Sequence, residues 1–179
     1  MNYLILVNRQ HTMPEDGTAR ELVSVHPGYP GILLEAEAAR KLNQLMDELD
    51  GWKSILPVSG WRSIEEQKEL YSQSLRENGR EFTEKYVAFP GCSEHQTGLA
   101  IDLGLMGPNV DFIRPDFPDE GICRAFRGRM AAYGFVERYP AGKEGVTGIA
   151  HEPWHFRYVG VPHAAEMARR GLTLEEYLL

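Results

Sequence analysis

Pro153 constrains this chain more than any other single residue. It sits at the centre of His151-Glu152-Pro153-Trp154-His155, which spells H-E-x-x-H letter for letter. That pattern binds zinc when helical, because residues four apart project from one helix face. Proline, however, disfavours the α region for the residue before it, here Glu152. The run Trp154-His155-Phe156-Arg157-Tyr158-Val159 is aromatic and β-branched, which favours strand. The segment is therefore read as a loop entering a strand over 154–159, and only Glu152 and His155 remain for a site. His151 becomes a loop residue beside it. Strand residues three apart face opposite ways. Either Pro153 bends the chain, or Glu152 lies in the loop before the strand.

Two further segments complete a constellation. Ser93-Glu94-His95-Gln96-Thr97-Gly98-Leu99-Ala100-Ile101-Asp102 offers His95 and Asp102, and Ser59-Gly60-Trp61-Arg62-Ser63 offers Arg62. His95, Asp102 and His155 supply two neutral nitrogens and one oxygen. That is a three-ligand catalytic set for one Zn²⁺, with a fourth position open to water. Leu99, Ile101 and Leu103 alternate with Ala100 and Asp102, so Asp102 shares a strand face with small neighbours that leave room for a ligand. A lone buried carboxylate mid-strand is costly, and metal ligation removes that cost. Glu152, three residues before the last ligand, is placed to take a proton from water, and Arg62 to meet negative charge developing on a substrate. Gln67 falls on the inner stripe of the helix that follows. It is either a core amide with its own partners or a group holding substrate beside Arg62.

Other candidates have plainer readings. Cys92 lies three residues before His95, but a lone Cys-x2-His carries little weight, and a small buried apolar residue fits it better. With no secretory signal, Cys92 and Cys123 are expected as free thiols. His11, His26 and His163 are expected as ordinary surface or core histidines, and Trp154 as packing.

Along the chain, Tyr3–Val7 reads as a buried strand and 8–31, rich in proline and glycine, as loop. Leu34, Ala38, Leu42, Leu45, Met46 and Leu49 predict a helix over 34–50. A strand over 55–58 precedes a Ser63/Glu66 capping box and a helix over 64–78 that Gly79 ends. A strand over 99–103, a loop over 107–118, a helix over 119–133 and a strand at 135–136 follow. Short helices over 163–170 and 174–179 close the chain, the second with a Thr173/Glu176 capping box. Strands and helices mix without regular βαβ alternation. The expected class is α+β, a small mostly antiparallel sheet flanked by helices. At 179 residues with no repeat or long linker, residues 1–179 are expected as a single domain.

The net charge of −7 leaves no phosphate-neutralising face, which argues against a nucleic-acid partner. The N-terminal apolar run is far short of the roughly 20 residues that span a bilayer. No basic region and small-residue cleavage site accompany it. The expected location is cytoplasmic, unless a membrane anchor preceding this sequence has been lost.

Taken jointly, Ser93-x-His95-x6-Asp102, Glu152-x-x-His155 and Gly60-Trp61-Arg62-Ser63 resemble the LAS-type zinc peptidases that act on peptidoglycan. The resemblance is closest to D,D-carboxypeptidases and D,D-dipeptidases of the VanY and VanXY type. It runs from the N-terminal segment through Tyr177, with further matching stretches at Phe89–His95, Tyr133–Phe135 and Phe156–Gly160. It implies the LAS fold, and one catalytic Zn²⁺ on His95, Asp102 and His155. It also implies Glu152 as general base and then acid, Arg62 as oxyanion partner, and Ser93 with Gln67 as substrate-binding residues. The implied partners are the D-Ala-D-Ala dipeptide or the pentapeptide of a cell-wall precursor, whose removal deprives glycopeptide antibiotics of their target. The protein would be a monomer or homodimer. Trp61 stands where the family commonly has tyrosine, a change that bears on pocket shape more than on catalysis. The same architecture could cleave another peptidoglycan bond, or serve as a non-catalytic zinc-stabilised binding domain. Retention of both Glu152 and Arg62 argues against the second.

Overall fold

A computed structural model describes residues 2–13 and 21–179. A four-stranded antiparallel sheet in the order β3-β4-β6-β5 forms its centre, from β3 (Ile55–Ser59), β4 (Ala100–Leu105), β5 (Phe135–Tyr139) and β6 (Glu152–Tyr158). A separate two-stranded antiparallel ribbon pairs β1 (Leu22–Ser24) with β2 (Leu33–Glu35). The helices are α1 (Ala36–Glu48), α2 (Ile64–Tyr86), α3 (Gly121–Met130), α4 (Glu144–Thr147), α5 (Val161–Arg170) and α6 (Leu174–Leu178). The α+β class with a small antiparallel sheet holds.

The helix stripe read from the sequence is the core contact of α1. Ala38, Leu42, Leu45 and Met46 are fully buried and join Ile101, Leu103, Phe126 and Phe156 in one apolar cluster. Burying each of the larger side chains among these contributes about 1.5–3 kcal/mol. Leu99, just before β4, and Ile101 and Leu103 on it join this cluster, while Asp102 belongs to a cleft on the opposite face. The alternation thus separates core from site as expected.

Several boundaries differ. Tyr3–Val7 is not a strand. The carbonyls of Tyr3 and Ile5 accept from Nη2 of Arg157 at 3.0 and 2.7 Å, so a side chain supplies the donors that a neighbouring strand would. Of the expected 8–31 loop, residues 14–20 lie outside the described residues, and β1 occupies part of the remainder. Leu33–Glu35 is strand rather than the start of α1. Glu35 caps that helix instead, its carboxylate accepting from the Ala38 N–H at 2.9 Å. Gly79, at φ +79°, breaks the helical geometry of α2, but the helix resumes and runs to Tyr86. Thr83 steadies the break, its hydroxyl bonding the Gly79 carbonyl at 2.9 Å and sharing a 2.8 Å hydrogen bond with Ser74. Both capping boxes form as read, at Ser63/Glu66 and Thr173/Glu176. The 107–118 segment is loop, and Phe112 and Ile113 from it line the cleft. Helix α4 is an addition that no periodicity announced. Among the described residues, no helix is long and apolar enough to cross a membrane.

Candidate active site

Three adjacent strands present the site side by side. Asp102 on β4 pairs directly with Ser59 on β3 and with His155 on β6. His155 Nδ1 lies 2.9 Å from one Asp102 oxygen, and His95 Nε2 lies 3.1 Å from the other. His95 comes from the short 3-10 turn Glu94–Thr97, which Gly98 closes at φ +71° before β4 begins. The two imidazoles meet nearly perpendicular, with centroids 5.0 Å apart.

Glu152 does not lie in a loop. It is the first residue of β6, paired with Tyr139, and the ladder next registers at Phe156 with Glu137. Two steps on β5 thus span four on β6, a bulge over Pro153–His155 that undoes strict alternation. Glu152 and His155 therefore reach the same cleft, and Glu152 Oε2 lies 3.9 Å from His155 Nδ1. Proline has no N–H to lose from the ladder, and the bulged Pro153 carbonyl accepts from Arg127 Nη2 at 2.9 Å. Arg127 also bonds the Phe117 and Pro118 carbonyls and the Glu137 carboxylate. His151 stays outside, 41% exposed at its side chain, with Nε2 3.3 Å from Glu137. It is not in the group of candidate metal ligands, so the helical H-E-x-x-H arrangement is absent.

Arg62 follows β3. Its Nη1 donates to the Gln67 side-chain oxygen and its Nη2 to Ser59 Oγ, both at 2.7 Å. Gln67 is fully buried, and its Nε2 donates to the Ala88 carbonyl at 2.7 Å. Both ends of the amide are therefore used inside the protein, and it holds the guanidinium at the cleft. Burial lowers the affinity of Arg62 for its proton, opposed by the charges of Asp102, Glu66 and Glu152. Ser93, 3% exposed, lines the same cleft of ≈ 340 Å³ together with Trp61, Tyr139 and Trp154.

His95, Asp102 and His155 are all buried, with candidate ligand atoms within 4.8 Å of one another. Tetrahedral zinc with nitrogen and oxygen ligands near 2.0–2.1 Å sets those atoms about 3.3 Å apart. The nitrogen–oxygen separations, 2.9 Å to one Asp102 oxygen and 3.1 Å to the other, are of that order. The electrostatics fit a cation as well. Burial is the largest influence on Glu152 and pushes its carboxyl up to about 8, with Asp102 and Glu94 adding and His155 and Arg62 opposing. Burial disfavours a charged His155, yet Asp102, Glu94 and Glu152 outweigh it and push the imidazole up to about 10. Asp102 is held well below the usual carboxylate range by His95 and His155, against its own burial. Three carboxylates crowded around one imidazole form a site that a divalent cation would neutralise.

Two groups escaped the sequence reading. Glu94 lies behind His155, its Oε2 3.5 Å from Nε2, and bonds Arg138 and Arg157 at 2.7 Å each. Tyr139 lies against the His155 ring, centroids 4.9 Å apart. The available signal for the first was a pair of arginines between aromatic residues in strands, Arg138 and Arg157, each needing an anion if buried. Cys92 and Cys123 are buried free thiols, and neither belongs to the metal group.

This fold and site define a class, the LAS-type peptidases: an antiparallel sheet carrying a two-histidine, one-aspartate group with an unligated glutamate beside it. The family model for VanY, D-alanyl-D-alanine carboxypeptidase, matches residues 31–161, and the chain belongs to that family. It is 42% identical to the bifunctional D-Ala-D-Ala dipeptidase and D-Ala-D-Ala carboxypeptidase VanXYC of Enterococcus gallinarum, over 99% of this chain and 94% of that one. The crystal structure of the D,D-dipeptidase VanXYg with a D-Ala-D-Ala phosphinate analogue superposes with a TM-score of 0.95 at 49% identity. It covers 99% of this chain and 70% of that one. A VanY D,D-pentapeptidase from a VanB-type cassette, solved with Zn(II), gives a TM-score of 0.83 at 33% identity, covering 99% of each chain.

Proposed function

We propose that the chain is a zinc D,D-peptidase that hydrolyses D-Ala-D-Ala, removes the terminal D-Ala from peptidoglycan precursors, or does both, in glycopeptide resistance or cell-wall metabolism. The observation that carries this reading is the position of Glu152, 3.9 Å from Nδ1 of His155 and outside the candidate ligand group. Zinc on His95, Asp102 and His155 would supply Lewis acidity toward the scissile carbonyl and acidify water. Glu152 takes the proton of the attacking water and returns it to the leaving amine. Arg62, held rigid by Gln67 and Ser59, faces the negative charge that develops on the carbonyl oxygen. Ser93 offers a hydroxyl to the terminal D-residue. Gln67 contributes less directly, since its amide already serves Arg62.

The loop bearing Phe112 and Ile113 borders the cleft and is placed to set the choice between dipeptide and pentapeptide. A cytoplasmic location belongs to the same proposal and is supported by two buried, unpaired thiols. The test is D-Ala release from D-Ala-D-Ala and from UDP-MurNAc-pentapeptide, before and after chelation and zinc restoration. Release from either, abolished by chelator and restored by zinc, is expected. Zinc uptake with no release from either would favour cleavage of another bond or a binding role. A deletion within 107–118 is expected to change the ratio of the two activities.

A further inference from the structure

Among the described residues, two of the buried side-chain atoms without a hydrogen-bond partner face each other behind the candidate metal group. They are Glu94 Oε2 and His155 Nε2, 3.5 Å apart. A slight tilt of the ring closes that gap to a hydrogen bond. The other Glu94 oxygen has no freedom, because Arg138 Nε and Arg157 Nη1 both donate to it at 2.7 Å. Those arginines are themselves fixed. Arg138 is forked onto Glu175 at 2.6 and 2.7 Å, and Arg157 reaches the Tyr3 and Ile5 carbonyls. Glu94 thus presents one free oxygen in one direction, toward His155.

An imidazole that donates from one nitrogen keeps a lone pair on the other. His95 has this arrangement already, with Nδ1 2.7 Å from the Gly60 carbonyl and Nε2 turned to Asp102. His155 is the mirror case, with Nδ1 turned to Asp102 and Nε2 to Glu94. We propose that Glu94 is a positioning residue that holds the proton of His155 on Nε2, so that Nδ1 is the nitrogen given to the metal. Arg138 and Arg157 fix the Glu94 carboxylate in place, and its place behind the ring keeps it from becoming a competing ligand.

This inference rests on the zinc reading of the site. Its test is zinc affinity by chelator competition, together with histidine ¹⁵N–¹H correlation spectra of the zinc-loaded protein. The wild type should show His155 bound through Nδ1 with a slowly exchanging Nε2–H. Glu94→Gln should weaken zinc binding by about 10- to 100-fold, with the fold intact by circular dichroism. Glu175→Gln, which alters the same charge cluster without touching His155, should leave zinc affinity within about twofold, since it leaves that orienting partner in place. Wild-type affinity in Glu94→Gln, or an equal loss in Glu175→Gln, would overturn the positioning role. Should Glu94→Gln fail to fold, the wild-type spectrum decides alone, because metal on Nε2 would overturn the proposal. A wild type that takes up no zinc would defeat the zinc reading itself, which the competition measurement distinguishes.

Discussion

Glu152 and His155 stand three residues apart on one strand, yet Glu152 Oε2 lies 3.9 Å from His155 Nδ1. A regular strand would send them to opposite faces, and the bulge at Pro153–His155 brings them together. On the proposed roles, the base stands beside a ligand without being one. Glu152→Gln should keep its zinc and lose D-Ala release by about 10²–10⁴-fold, the usual contribution of general acid–base catalysis. Metal content and turnover measured on the same sample check this.

The bulge depends on Arg127, which satisfies the Pro153 carbonyl at 2.9 Å. Arg127→Met leaves that carbonyl without its donor and takes one partner from the Glu137 carboxylate. The expected cost is about 1–3 kcal/mol of stability, read by denaturant unfolding. Because His155 lies within the bulge but stays paired with Asp102 on β4, kcat should fall more than zinc affinity does.

Gly60 has no room for a side chain. A Cβ there would meet the Leu33 carbonyl oxygen at 2.2 Å, and the Gly60 carbonyl is the acceptor for His95 Nδ1. Gly60→Ala should destabilise the protein by about 1–3 kcal/mol and weaken zinc binding with it. A thermal melt with and without added zinc reads both effects.

Cys123 is fully buried, and burial, its largest influence, pushes the thiol up to about 11. Unfolded, it ionises near 8.5, as a free thiol does. Between these values the unfolded chain has released a proton that the folded one retains, so this group makes stability fall as pH rises. Cys123→Ala should remove that part of the alkaline loss. The native thiol should also resist a thiol reagent at pH 8 and react once the protein is unfolded.

Much of the site was legible because its chemistry violates packing rules. Asp102 in an apolar strand, and a proline inside an H-E-x-x-H spelling, both demanded explanations that metal ligation and strand geometry supplied. The alternation over Leu99–Leu103 and the two capping boxes depend on neighbours in sequence, so they could be read directly. What escaped depends on distant partners. Tyr3–Val7 has the composition of a strand, but its carbonyls bond Arg157, over 150 residues away. Glu35 looks helical by periodicity, yet it ends a strand and caps α1. Glu94 reads as a charged residue in a motif, and its role emerges only when Arg138, Arg157 and His155 converge on it. The position of Glu152 on the strand, rather than before it, required a bulge whose carbonyl is held by Arg127 from another helix.

The most direct test of the account compares His95→Ala with His151→Ala, zinc content and D-Ala release being measured on each beside the wild type. His95→Ala is expected to lose the metal and the activity, while His151→Ala keeps both. Zinc lost from His151→Ala and retained by His95→Ala would contradict the assignment of the metal group and restore the H-E-x-x-H reading.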